Sequence, residues 1–165
     1  AIPADCRAVA AVCGGDVLRN VPFETFLAHI PACRKACGDR AVLRAFHVYA
    51  DNQRVDKQVA ALRAGDFDAF LALVNESGRS SWEYLQNVIP AGYTKHQEVA
   101  VTIAAAKHLL AGEGAVRVHG GGFAGTVQAF VPLDKLASFK AGIAAIIGEG
   151  RCHFPSLRPA GGAAL

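Results

Sequence analysis

Methionine is missing from all 165 residues, the first position included. A chain that opens on Ala1 is expected either to have lost an initiator or to be cut from within a longer polypeptide, and the two explanations serve equally. Long apolar runs are missing as well. Stretches such as Ala104 to Ala106 and Ala141 to Ile147 end far short of the ~20 residues that cross a bilayer, so no membrane partner is expected. The opening AIPADCRAVAAVCGG lacks the charged start and continuous apolar stretch of a secretory signal, and nothing points to secretion. Clustered positive charge is absent too. The net charge is +3, with basic residues scattered singly or in pairs such as Arg34 and Lys35, which argues against a nucleic-acid partner, since that needs cations gathered on one face. Five cysteines, Cys6, Cys13, Cys33, Cys37 and Cys152, form an odd set at irregular spacing and read as reduced thiols of a cytoplasmic protein.

What is present is a core. The chain is 52% apolar and 19% charged, which excludes a disordered tail or acidic activator, and its length suits one domain over residues 1–165 that needs no staples. The first two thirds carry helical periodicity. Phe23, Phe26, Leu27 and Ile30 fall on one face of a short helix expected to end at Pro31. A longer helix is expected from about Asp39 through Leu62, with Leu43, Phe46 and Ala50 on its stripe and Gly65 past its end. Asp66 should cap a third, with Ala69, Phe70, Leu73 and Val74 inward and Gly78 as its stop. Ser80 to Glu83 has the form of a capping box opening a helix through Ile89, and Thr94 to Gln97 has the same form ahead of a helix closing at Gly112.

After Gly114 the period changes from 3.6 to 2. Val116 and Val118 alternate with Arg117 and His119, a glycine cluster interrupts, and TVQAFV alternates again up to Pro132. A last helix should be capped by Asp134 and carry Leu136, Lys140, Ile143 and Ile147 before Gly148, with RCHFPSL as a final short strand and a fraying tail. Helices first, then antiparallel strands with one more helix, is an α+β order.

The interrupting loop runs Gly120, Gly121, Gly122, Phe123, Ala124, Gly125, Thr126. Its letters fit G-x-G-x-x-G, but a dinucleotide loop must lead into a helix, and here a strand follows. A glycine turn, in which residues without Cβ permit positive φ, and a loop built for close approach of a phosphate both suit it.

RVHGGGFAGTVQAFVP resembles the third glycine motif of the GHMP small-molecule kinases, and most nearly the galactokinase branch. Upstream, DRAVLRAFHVYADNQRV is similar to that branch's stretch marked by an alanine, a histidine and an arginine on one helix, here Ala45, His47 and Arg54. LRAGDFDAF at Leu62 to Phe70, ESGRSS at Glu76 to Ser81 and RPAGG at Arg158 to Gly162 follow in the family's order. Many galactokinases have a second Gly-Gly followed by cysteine where this chain has Ala124, Gly125 and Thr126, so it resembles a divergent branch.

The resemblance implies an α+β, ferredoxin-like GHMP kinase C-terminal domain with an antiparallel sheet packed by helices. It implies a parent enzyme that transfers the γ-phosphoryl group of ATP, with Mg2+, to a sugar hydroxyl, galactose being favoured. The parent's sugar-recognition segment, phosphate loop, base and metal ligands are expected in an N-terminal domain this chain lacks, so the chain alone should hold no catalytic residue, bind no cofactor tightly and be inactive. Gly120 to Thr126 would form a wall against the nucleotide, with Arg117, His119, Ser77 and Arg79 facing the cleft. The surface turned toward the missing half would be apolar and drive a homodimer. The alternative is a free-standing ligand-binding or dimerisation module without catalysis.

One further pattern has a bland reading. His29, Cys33 and Cys37, spaced by four, would share a metal-binding face on a continuous helix, but Pro31 is expected to break it, leaving ordinary thiols and no metal site.

Overall fold

The computed structural model describes residues 1–123 and 125–155. Ala124 and the RPAGG stretch lie outside the described residues. Six helices and a two-stranded sheet follow in the order α1 (Ile2–Val12), α2 (Phe23–Cys37), α3 (Asp39–Arg63), α4 (Phe67–Ser80), α5 (Glu98–Leu110), β1 (Ala115–Val118), β2 (Val127–Phe130) and α6 (Leu136–Ile147). The strands are antiparallel, with Ala115 opposite Phe130 and Val118 opposite Val127. The expected α+β class and antiparallel sheet are therefore present, and no helix among the described residues is long and apolar enough to cross a membrane.

Apolar side chains gather in two separate clusters. The first joins Val9 and Ala10 of α1, Phe26 and Cys33 of α2, and Ala41, Val42 and Ala45 of α3. The rings of Phe26 and Phe46 meet edge to face in it, with centroids 4.9 Å apart. The second packs Ile103, Ala106 and Leu110 of α5 and Phe139 and Ile143 of α6 on Val116 and Val118 of β1. α3 and α4 meet through buried polar side chains: His47, Arg54, Ser77 and Ser80 are each less than 8% exposed.

Several boundaries depart from the sequence expectation. Pro31 does not end α2, which continues six residues to Cys37. Proline leaves Leu27 O without its i+4 donor, but Leu27 and Pro31 are both exposed, so water can take that bond. Gly78 does not stop α4 either. It is the point where the helix crosses β1, and a Cβ there would stand 3.0 Å from Val116 O and Arg117 Cβ. The Ser80 box opens no new helix, because Ser80 has helical φ and ψ of −60° and −37°, whereas a capping residue is extended. The chain runs instead into one π-helical turn, Ser81–Leu85, closed by Gln86 in the left-handed region.

The helix expected after Thr94 forms, but Gln97 bonds back to Tyr93 O at 3.0 Å rather than capping it. Asp134 lies in a 3-10 turn, Leu133–Lys135, and does not cap α6. The inward position of α6 is Phe139, while Lys140 is exposed, with Nζ 3.8 Å from the Phe154 ring centroid. Residues 151–155 form no strand, and the rest of that expected strand lies outside the described residues.

The edge of β1 that β2 leaves open is covered by a side chain. Asn75 Nδ2 donates to Gly114 O at 3.0 Å, and Val116 N donates to Asn75 Oδ1 at 3.1 Å.

Candidate functional site

The hairpin turn is held at both ends. At its neck, His119 N donates to Thr126 O at 2.8 Å, and at its side Phe123 N donates to Asn87 O at 2.8 Å. Asn87, 1% exposed, follows the π turn, so α4 delivers the anchor beneath the loop. Gly122 is required there, since its φ is +72° and a Cβ would fall 2.1 Å from Asn87 O. Gly120 and Gly121 differ. Nothing lies within 4 Å of a Cβ at either, and both are exposed. Gly120 has a φ of +64°, but Gly121 is not among the positive-φ residues, so two of the three glycines use the freedom that a missing Cβ permits. Gly125 and Thr126 are exposed and Phe123 is half-buried. The result is a loop pinned on one side and bare on the other.

The neighbouring polar residues form a chain of contacts across α3, α4 and β1. Arg117 Nη1 donates to Ser77 Oγ at 2.7 Å, and Ser77 Oγ donates to Asp51 Oδ1 at 2.6 Å. Arg54 donates from Nη1 to the same Asp51 oxygen at 2.9 Å and from Nε to Glu76 Oε1 at 2.8 Å. His47 Nδ1 pairs with Ser80 Oγ at 2.9 Å, and its Nε2 lies 3.7 Å from Asp51 Oδ2. Burial pushes the His47 pKa below its ordinary value; Asp51 opposes this, while Arg54 and Arg117 add to it. The imidazole, serine and carboxylate resemble a hydrolase triad on paper, but Ser80 is 3% exposed and offers a substrate no approach. These groups position the strand that leads into the loop.

The four flanking positions thus have different settings. Ser77 is 1% exposed and fully engaged in the network. Arg117, itself half-buried, reaches it from β1, His119 is exposed at the loop's neck, and Arg79 is exposed on α4. Arg79 and Lys107 line two adjoining shallow cavities, of about 270 and 340 Å³, between α4, α5 and β1; no loop residue lines either. Asn87 had no sequence signal, and Arg44 had little. Arg44, 3% exposed, bonds Asp5 of α1 and Leu85 O at the end of the π turn, and its place on α3 beside Ala45 and His47 was the only hint.

His29, Cys33 and Cys37 do share a continuous helix, contrary to the expected break. Even so, no three His, Cys, Asp or Glu side chains converge to hold a metal among the described residues. His29 Nδ1 is tied to Thr25 O at 2.7 Å and Cys33 turns into the core.

No family model matches the chain. Curated galactokinases do. That of Glaesserella parasuis serovar 5 is 29% identical over 140 residues, covering 85% of this chain and 34% of its own length. Those of Mannheimia succiniciproducens and Haemophilus influenzae are each 30% identical over 139 residues, covering 84% of this chain and 34% of theirs. A crystal structure of Lactococcus lactis galactokinase complexed with galactose superposes with a TM-score of 0.66 at 22% identity, over 88% of this chain and 36% of that one. By sequence and fold the chain is galactokinase-like. It spans about one third of the length of the curated relatives it matches.

Proposed function

We propose that the chain is the C-terminal domain of a galactokinase-like sugar kinase, and that the parent protein transfers the γ-phosphoryl group of MgATP to a sugar hydroxyl, with galactose the favoured sugar. The relatives' names support the kinase reading. The observation that carries the local role is the loop itself, with Gly122 and Phe123 fixed on Asn87 while Gly120 and Gly121 stay bare. A phosphate chain can approach such a backbone closely, and fixed N–H dipoles act on developing charge without reorganising. In this reading Gly120 to Thr126 wall the nucleotide, Arg117, His119 and Arg79 border the cleft, and Ser77 steadies Arg117.

The base and the Mg2+ ligands belong to an N-terminal domain outside this chain, and ATP and Mg2+ are held mainly there. Phosphoryl transfer consists mainly of positioning and electrostatic stabilisation, so a wall contributes to rate without supplying a reacting group. The cytoplasmic location is part of the same reading. So is self-association of the isolated chain, for which the exposed Val55, Val59 and Leu62 of α3 offer an apolar stripe.

The test is an assay of sugar-dependent ADP release with a panel of sugars that includes galactose. The 165-residue chain should show none, and the product of the longest reading frame containing it should turn over. Turnover by the chain alone, or none by the longer product, overturns the reading.

A further inference from the structure

Four of the five cysteines lie in or against the first apolar cluster, away from the hairpin. Cys33, wholly buried in the middle of α2, has its Sγ 3.8 Å from the Sγ of Cys13, the half-buried C-cap of α1. Cys37, one turn further along α2, packs against the same cluster. A disulfide needs the two sulfurs at ~2.0 Å, so one of them must advance by less than a bond-and-a-half's length. Cys13 sits where that can happen. The next residue, Gly14, has a φ of +83° with open space around it, and the chain there has already left the helix.

We propose that Cys13 and Cys33 are a reversible modification site at which a small-molecule disulfide, such as oxidised glutathione, staples α1 to α2. Cys13 reacts first because it is partly exposed, whereas Cys33 is sealed. Its thiol releases a proton, and the sulfur attacks one sulfur of the small disulfide. The S–S bond breaks and one small thiolate leaves, taking up a proton. Cys33 then gives up its own proton and attacks Cys13 Sγ, expelling the second small thiolate, which is protonated in turn. One small disulfide is reduced to two thiols, and two protein thiols are oxidised to one disulfide. Burial pushes the Cys33 thiol up to about 11, so the second step speeds up as pH rises. Nothing here depends on the kinase reading.

The 165-residue chain is incubated with oxidised glutathione, quenched with acid and analysed by intact mass and peptide mapping. The expected product has lost two hydrogens, carries a 13–33 crosslink and retains three of its five thiols. Its Tm should rise on the order of 10 °C, because a 20-residue separation is closed in the unfolded chain, and dithiothreitol should reverse the rise. Cys13→Ser should abolish crosslink and shift, while Cys37→Ser should keep both. A persisting glutathione adduct, a 13–37 crosslink or an unchanged thiol count would each overturn the proposal. Should Cys13→Ser fail to fold, the map of the unsubstituted chain decides alone.

Discussion

Arg117 on β1 and Asp51 on α3 never touch, yet Ser77 connects them, accepting from the guanidinium at 2.7 Å and donating to the carboxylate at 2.6 Å. The strand that leads into the glycine loop is thereby tied through α4 to the long helix. A hydroxyl that both accepts and donates cannot be replaced by an apolar group without leaving two partners short.

Ser77→Ala should lower the unfolding free energy by about 1–3 kcal/mol, the range for stranding buried hydrogen-bonding groups. Urea titration measures it. A change near zero would mean that Arg117 and Asp51 find other partners at no cost.

His47 makes stability depend on pH. Its pKa is below the ordinary 6.5 in the folded chain, mainly through burial, so the unfolded chain takes up the proton first as pH falls. The contribution is therefore complete above pH 6.5, declines as pH drops below it, and levels off once the folded imidazole is also protonated. Denaturant midpoints between pH 8 and 5 should fall more steeply for the natural chain than for His47→Gln. Parallel curves would refute the assignment.

The loop's two kinds of glycine can be separated by substitution. Gly122→Ala places a Cβ 2.1 Å from Asn87 O at a φ of +72°, and should cost at least ~1–2 kcal/mol. Gly121→Val meets open space without a positive φ, so the isolated chain should keep its Tm. If the loop walls the nucleotide as proposed, the same valine in the longer protein should lower kcat, because its branches would occupy the space that reading gives to the phosphate chain. A normal kcat would reduce the loop to a turn.

Arg44 joins α1, α3 and the π turn. Arg44→Ala should destabilise by about 1–3 kcal/mol, since Leu85 O loses its donor, while Asp5 is partly exposed and keeps Arg40 at 3.5 Å. Arg44→Met, which keeps the volume, should recover part of that loss. Thermal unfolding of both variants checks the order.

The parts of the fold legible in the sequence are those in which one local rule acts without competition. The α3 span, the Asp66 cap, which accepts from Ala69 N at 2.9 Å, and the change to a two-residue period at Ala115 needed no tertiary information. Pro31, Gly78 and Ser80 misled for one reason. Each is a breaker or cap by local propensity, and each is overruled by its surroundings: solvent at Leu27, the crossing of β1 at Gly78, and the His47 contact at Ser80. The Pro3 in the first turn was a usable start signal for α1. At the candidate site, the glycines were readable but their anchor was not, because Asn87 lies more than thirty residues upstream and meets the loop only through the packing of β1 on α4.

The amide of Asn75 occupies the outer edge of β1 as a single-residue imitation of a neighbouring strand. A bare ribbon edge is a template on which further copies can stack into fibrils. With Gly114 O and Val116 N already engaged, two of the groups on which another ribbon would dock along that edge are taken, and the amide that finishes β1 also discourages stacking there.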